Sequence, residues 1–265
     1  MVTLARITQP EEPLVAPAIV AAFDGWIDAA SASTDAAARI AGEGERVASF
    51  DPDLLYDYRS RRPVLDIVDG RPSELVWPDL AITRTHIGER DLLVLTGPEP
   101  DFRWREIGRE LMDLALRLGV VEWVSLGSIP AAVPHTRPVP ILATASKLGL
   151  LHGDERQGPD GLLRVPSAAL SAIEMAVSES DIPTVGFYAQ VPHYVGGTFP
   201  AATIALLEHA GRHLGVTFRL GGLPDEAAAT KARIDEAVAD DEESRAYYEL
   251  ERLWSDRPRV DWKVA

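Results

Sequence analysis

The sequence predicts an α/β fold with a parallel or mixed sheet covered on both faces. Short, unbroken apolar runs such as "PAIVAAF" (17–23) and "DLLVLTG" (91–97) have the pattern of strands buried on both sides. Segments with helical spacing alternate with them. From Pro224 onward the pattern turns wholly helical and acidic, so residues 1–223 are expected to form a core and 224–265 a C-terminal helical extension.

The elements follow in order. After 17–23, "DGWIDAASASTDAAARIAG" reads as a helix capped by Asp28 or Ser31 and stopped at Gly42 or Gly44. Its run of Ala, Ser and Thr between Ala29 and Ala38 allows close packing against a neighbour. "VLDIV" (64–68) and "AITRTHI" (81–87) read as strands, the second half-exposed by its alternation. Next comes the buried run 91–97. Ile107, Leu111, Leu114 and Leu118 then recur at helical spacing before Gly119. "VEWVSLGS" (121–128) is a further buried strand and "VPILATAS" (139–146) another. "LGLLHGDERQGPDGLLRVP" reads as a long surface excursion. A helix opening at Ser167 puts Leu170, Ile173 and Val177 on one side. "IPTVGFYAQ" is the next strand, followed by a glycine-bearing turn and a helix. Leu250, Leu253 and Trp254 are the apolar residues available to dock the tail.

Composition limits function. The 265 residues carry 41 acidic and 26 basic side chains, a net charge of −15. Such a surface repels phosphate backbones, so no nucleic-acid partner is expected. The acidity peaks in "DEAVADDEESRAYYELE", which reads as a solvated helix face. No cysteine is present, which removes disulfides and thiolate chemistry and fits a cytoplasmic location. No apolar run reaches the length of a membrane span, and "MVTLARITQPEEP" lacks the apolar stretch of a signal peptide.

In open α/β sheets ligands gather beyond the carboxyl ends of strands. Four such ends carry polar groups here: Asp24, Trp26 and Asp28; Glu99 and Asp101; His135 and Arg137; His193 and Tyr194. These residues are expected to meet at one crevice. Gly196 and Gly197, just before Thr198, offer backbone N–H groups for an anion at a helix start, although Thr198 as cap with Pro200 in the first turn explains the same residues structurally. Asp24 and Asp28 serve equally as turn or cap residues, and each histidine as a satisfied hydrogen-bond group. Neither G-x-S-x-G nor H-E-x-x-H occurs, and the spacing demands no metal; no catalytic residue, metal or cofactor is assigned.

"AAFDGWIDAASASTDAA", "TGPEPDFRWREI", "LGSIPAAVPHTRPVP" and "VPHYVGGTFPAATIALLEHAG", with the acidic "SRAYYELER" after them, resemble the proteasome assembly chaperone 2 family in its actinobacterial branch. The resemblance spans residues 18 to 252. It implies a three-layer α/β/α sandwich with a mixed, mostly parallel sheet, similar to nucleoside-phosphorylase-like folds, plus C-terminal helices. It also implies self-association, with a trimer preferred. Some archaeal relatives dock on proteasome rings through a terminal hydrophobic–tyrosine–any-residue tail. Here Lys263, Val264 and Ala265 stand in that place, without the tyrosine, so this route is not carried over. Two readings of function follow. One is a non-catalytic protein-interaction or assembly-chaperone-like module. The other is a small-molecule enzyme, hydrolase or phosphorylase-like, using a His/Arg/carboxylate crevice.

Overall fold

The computed structural model describes residues 4–8, 12–153, 155, 162 and 164–239. Leu250, Leu253 and Trp254 lie outside the described residues, as does most of the surface excursion's centre.

β2 (Ala18–Phe23) is buried at every position. Its alternate residues enter two separate apolar clusters, as the two-residue period of a strand requires. Ile19, Ala21 and Phe23 join one cluster with Ile107, Leu111 and Leu114 of α3 (Trp104–Arg117) and Leu170, Ile173 and Val177 of α4 (Ala169–Ser178). Ala18, Val20 and Ala22 join the other, with α1 (Ala32–Ala41) and α5 (Pro200–Leu214). Each large aliphatic buried this way contributes roughly 1.5–3 kcal/mol. The small residues of α1 are the close-packing face expected: Ala32, Ser33, Ala36 and Ala37 are all buried.

The remaining strands are β1 (Ala5–Ile7), β3 (Glu45–Phe50), β6 (Ala81–Ile87), β7 (Arg90–Gly97), β8 (Glu122–Ala131), β9 (Ile141–Ala145) and β10 (Thr184–Pro192). With β2 they form an eight-stranded sheet in the order β1-β3-β6-β7-β2-β8-β10-β9. The sheet is mixed, but the expectation of a mostly parallel one needs correction. Only β7–β2, β2–β8 and β8–β10 are parallel; β1–β3, β3–β6, β6–β7 and β10–β9 are antiparallel. Of these antiparallel pairs only β6 and β7 are joined by a short turn, which permits no other pairing; β1–β3, β3–β6 and β9–β10 pair antiparallel across longer connections.

Two features differ from the sequence expectation. "VLDIV" forms β4 (Val64–Val68), but it pairs with β5 (Arg71–Val76) in a separate two-stranded ribbon, after the short α2 (Pro52–Leu55). Thr198 does not cap α5; Phe199 occupies that position and Pro200 begins the helix. Finally, α6 (Leu223–Ala239) docks on α5 through buried Leu223 and Thr230, with Ile234 against the second cluster. No helix among the described residues is long and apolar enough to cross a membrane.

Candidate functional site

The four parallel strands β7, β2, β8 and β10 end at one edge of the sheet, and the ten residues singled out from the sequence follow those ends. They fall into two groups.

The first group follows β2 and β7. Asp24 Oδ1 accepts the Glu99 N–H at 3.0 Å, and Asp24 Oδ2 accepts from Arg61 Nη1 at 3.0 Å. Glu99 Oε1 in turn accepts the Ala169 N–H at 2.7 Å, so this carboxylate satisfies a free amide at the start of α4. Gly25 makes the approach possible: it has φ +105°, and a Cβ there would lie 3.1 Å from Glu99 Oε2. Asp101 Oδ2 accepts the Asp57 N–H at 2.8 Å, and the Tyr56 hydroxyl donates to the Pro98 carbonyl at 2.8 Å. Burial pushes the Tyr56 phenol upward, against the pull of Arg61. Arg61 and Tyr56 belong to the segment between β3 and β6, which the sequence reading did not connect with this edge. No motif marks them; only the fold of that segment brings them here.

Asp28 does the structural job open to it. Its Oδ1 accepts from the N–H of Ser33 (2.9 Å) and of Thr34 (3.2 Å), and from the Ser33 hydroxyl at 2.6 Å, which caps α1 from outside the helix. Trp26, in the same loop, is 64% exposed.

The second group follows β8 and β10. The Tyr194 hydroxyl accepts the His135 backbone N–H at 2.9 Å and also lies 2.9 Å from His135 Nδ1. His135 Nε2 is 2.9 Å from Asp235 Oδ1 on α6. One proton arrangement satisfies all three contacts: the tyrosine donates to Nδ1 and Nε2–H donates to the carboxylate. Hydrogen bonds from Lys231 and then His135 hold the Asp235 carboxyl below the usual carboxylate range. His193 packs edge-on against the Tyr194 ring, with centroids 5.4 Å apart, while the His135 ring meets it at 5.8 Å. Both imidazoles therefore share one aromatic neighbour. The His193 N–H donates to the Ala131 carbonyl at 3.1 Å, and its side chain is exposed.

Arg137 is exposed in the loop that carries His135. Gly196 and Gly197 are exposed too, with open space where a Cβ would stand, and they precede the first helical residue, Pro200, by three residues or more. Their amides therefore lie outside the first turn of α5. Asp24 is thus brought to Glu99, and His135 to Tyr194 and His193. Each of the contacts described above lies within one group, and among the described residues no cluster of His, Asp and Glu has the makings of a metal site. Asp235 had no distinguishing signal in the sequence, being one of many carboxylates in an acidic helix.

The PAC2 family profile matches residues 22–238. Among solved structures, the chain is similar to a Mycobacterium tuberculosis proteasome-assembly chaperone homologue at 36% identity and a TM-score of 0.81. That alignment covers 87% of this chain and 99% of the other. It is similar to a M. tuberculosis protein of unknown function at 32% identity and TM-score 0.86, covering 96% and 91%. A Streptomyces avermitilis PAC2 family protein matches at 33% identity and TM-score 0.78, covering 88% and 99%. No curated protein matches. The same strand-end loops that build the two polar groups lie inside the matched region, and the chain belongs to the PAC2 family.

Proposed function

We propose that the chain is a non-catalytic protein-interaction module of the assembly-chaperone type, cytoplasmic and self-associating, with proteasome subunits as its partner class and a trimer as its preferred state. The observation that carries this reading is that the chain itself engages the polar groups at its strand ends. Asp28 caps α1, Glu99 caps α4, Asp24 is tied to Arg61, and His135 is closed between Tyr194 and Asp235. Groups spent on holding loops together shape a surface rather than await a substrate. The partner class is supported by the relative described as a proteasome-assembly chaperone homologue. The net charge of −15 argues against nucleic acid. We read the two apolar clusters on β2 as the interior of a three-layer α/β/α sandwich of nucleoside-phosphorylase-like type, and residues 224–265 as an extension set on the core formed by 1–223. The pocket-wall residues of the proposal are Asp24, Trp26, Asp28, Glu99, His135, Arg137, His193, Tyr194, Gly196 and Gly197.

The test mixes the purified chain with unassembled actinobacterial proteasome subunits and reads native mass. A complex, and faster appearance of rings, is the expected result. No complex at tens of micromolar would overturn the reading, since functional encounters sit at or below that affinity range.

A second reading, a hydrolase or phosphorylase-like enzyme, draws on one observation: Tyr194, His135 and Asp235 form a hydrogen-bonded chain with the connectivity of a proton relay. Turnover of nucleosides with phosphate, or of simple esters, above the level given by His135→Ala would favour it.

A further inference from the structure

Between α5 and α6, residues 216–220 ("VTFRL") have the pattern of a strand but join neither sheet. Their burial alternates: Val216, Phe218 and Leu220 pack against the second apolar cluster, whereas Thr217 and Arg219 are exposed. The Val216 N–H donates to the Gly211 carbonyl at 2.9 Å. Gly211 lets the segment lie close to α5, since a Cβ there would stand 2.7 Å from the Val216 oxygen and 3.3 Å from the Phe218 ring. Among the described residues, Thr217, Phe218 and Arg219 make no backbone–backbone hydrogen bond. A strand-like stretch with open N–H and C=O groups is a template for a further strand. Beside it lies an open cavity of about 600 Å³, lined by Leu207 and Gly211 of α5 and by Val216, Phe218 and Leu220. Ligand sites run from roughly 300 to 1,000 Å³.

We propose that this groove is a strand-addition site, and that residues 260–264 of the same chain, "VDWKV", fill it antiparallel to 216–220. Sequence pattern favours this occupant. Residues 260–264 lie beyond the described ones, and in sequence they repeat the period of two: Val260, Trp262 and Val264 alternate with Asp261 and Lys263. With Trp262 set opposite Phe218, antiparallel pairing puts Val264 against Val216, Val260 against Leu220 and Asp261 against Arg219. The result is one aromatic pair, two aliphatic pairs and one opposite-charge pair, each of a kind that stabilises neighbouring strands. Parallel pairing about the same centre would set Lys263 against Arg219, and like charges directly opposite are destabilising. Charge therefore fixes the direction.

Length permits it as well. α6 packs against α5 and ends at Ala239, which leaves residues 240–259 before Val260. Stretched at about 3.3 Å per residue, they span up to roughly 65 Å. The 15 residues of α5 make a helix only about 22 Å long, so the site can be filled within one chain. The inference goes beyond the module proposed above and depends neither on its partner nor on its number of subunits.

The chain has no cysteine, so Thr217→Cys with Lys263→Cys introduces a single pair of thiols, opposite one another in the antiparallel register. Mild oxidation should close that pair within one chain at least about tenfold faster than Met175→Cys with Lys263→Cys, because docking raises the local thiol concentration. Met175 is exposed on α4, over the other face of the sheet. The amides of Thr217, Phe218 and Arg219 should exchange about tenfold or more faster in Trp262→Ala than in wild type, with circular dichroism unchanged. Arg219→Glu should also speed this exchange, and adding Asp261→Arg should slow it again. Equal closure rates, or exchange that Trp262→Ala leaves unmoved, would overturn the proposal. Closure only between two chains, seen as a doubled mass without reductant, would give the groove to a second copy and overturn the assignment to the same chain. A double charge variant no better protected than Arg219→Glu would rule out the antiparallel direction.

Discussion

His135 Nε2 lies 2.9 Å from Asp235 Oδ1, and this contact joins the loop after β8 to α6 across a hundred residues of chain. The imidazole is 6% exposed and the carboxylate 46%, so solvent screens the pair from one side only. Asp235→Ala should cost about 0.5–1 kcal/mol and raise amide exchange along α6 before the core responds. The pH sign follows from the depressed Asp235 carboxyl: its contribution is present above the unfolded pKa, near 3.9, and is lost as pH falls through the lower folded value. Exchange in α6 should therefore rise below about pH 4 in wild type, and the difference from Asp235→Ala should vanish there. A constant difference down to strongly acidic pH would contradict the contact.

Asp91 is an ion set inside the fold. Its side chain is wholly buried; it accepts from Arg84 Nε at 3.0 Å and from the Val15 N–H at 2.7 Å, with His86 Nδ1 at 3.3 Å. Burial works to raise its pKa, but the Arg84, Val15 and His86 bonds outweigh it and the net shift is downward. Asp91→Ala leaves Arg84 and the Val15 amide without their acceptor. The expected loss is about 3–5 kcal/mol, read by denaturant unfolding. The wild-type advantage is full above the unfolded carboxylate pKa and disappears as pH falls through the folded one. A loss under about 1 kcal/mol would mean that water replaces the carboxylate.

Much of the frame was legible because its signals are local. The apolar runs of β2, β7 and β8 announce burial on two faces, and the spacing of Ile107, Leu111 and Leu114 announces α3. β3 was not legible, since "ERVASF" buries only Val47, Ala48 and Phe50 and begins with two exposed charges. β4 was visible as a strand but not as half of an outlying ribbon, because its alternation says nothing about which strand it pairs with. The site divides in the same way. Strand ends with Asp24, Glu99, His135 and His193 could be read from sequence, whereas Arg61 and Asp235 reach them only through tertiary packing.

Glu174 gives a test with the opposite pH sign. It lies on α4 over the sheet, and the Tyr188 hydroxyl donates to its Oε2 at 3.2 Å. Burial lifts its carboxyl above the ordinary range, against the pull of bonds from Ser125 and Tyr188. A carboxyl raised on folding favours the folded state below its unfolded pKa and loses that advantage as pH rises through the folded value. Glu174→Gln should therefore raise the melting temperature at pH 8, with the gain shrinking towards pH 4. A variant less stable than wild type at pH 8 would show the ionised form to be well solvated.

Gly127 tests how the two strands that lead into the His135 and Tyr194 loops are spaced. A Cβ at this position of β8 would lie 2.5 Å from Tyr188 Cδ1 and 2.8 Å from Cε1 on neighbouring β10. The ring has little room to yield, because its hydroxyl is held by Glu174 and it lies close over Gly186. Gly127→Ala should cost about 1–3 kcal/mol as overpacking. Tyr188→Ala removes the obstacle, so the added methyl should cost close to nothing in that background. The strands β8 and β10 carry the loops that meet at the Tyr194 hydroxyl, so spreading them should also lengthen its 2.9 Å contact with His135, visible as a shift of the His135 Nδ1 resonance. Additive effects in the double mutant would show that the penalty arises from the backbone and not from the ring.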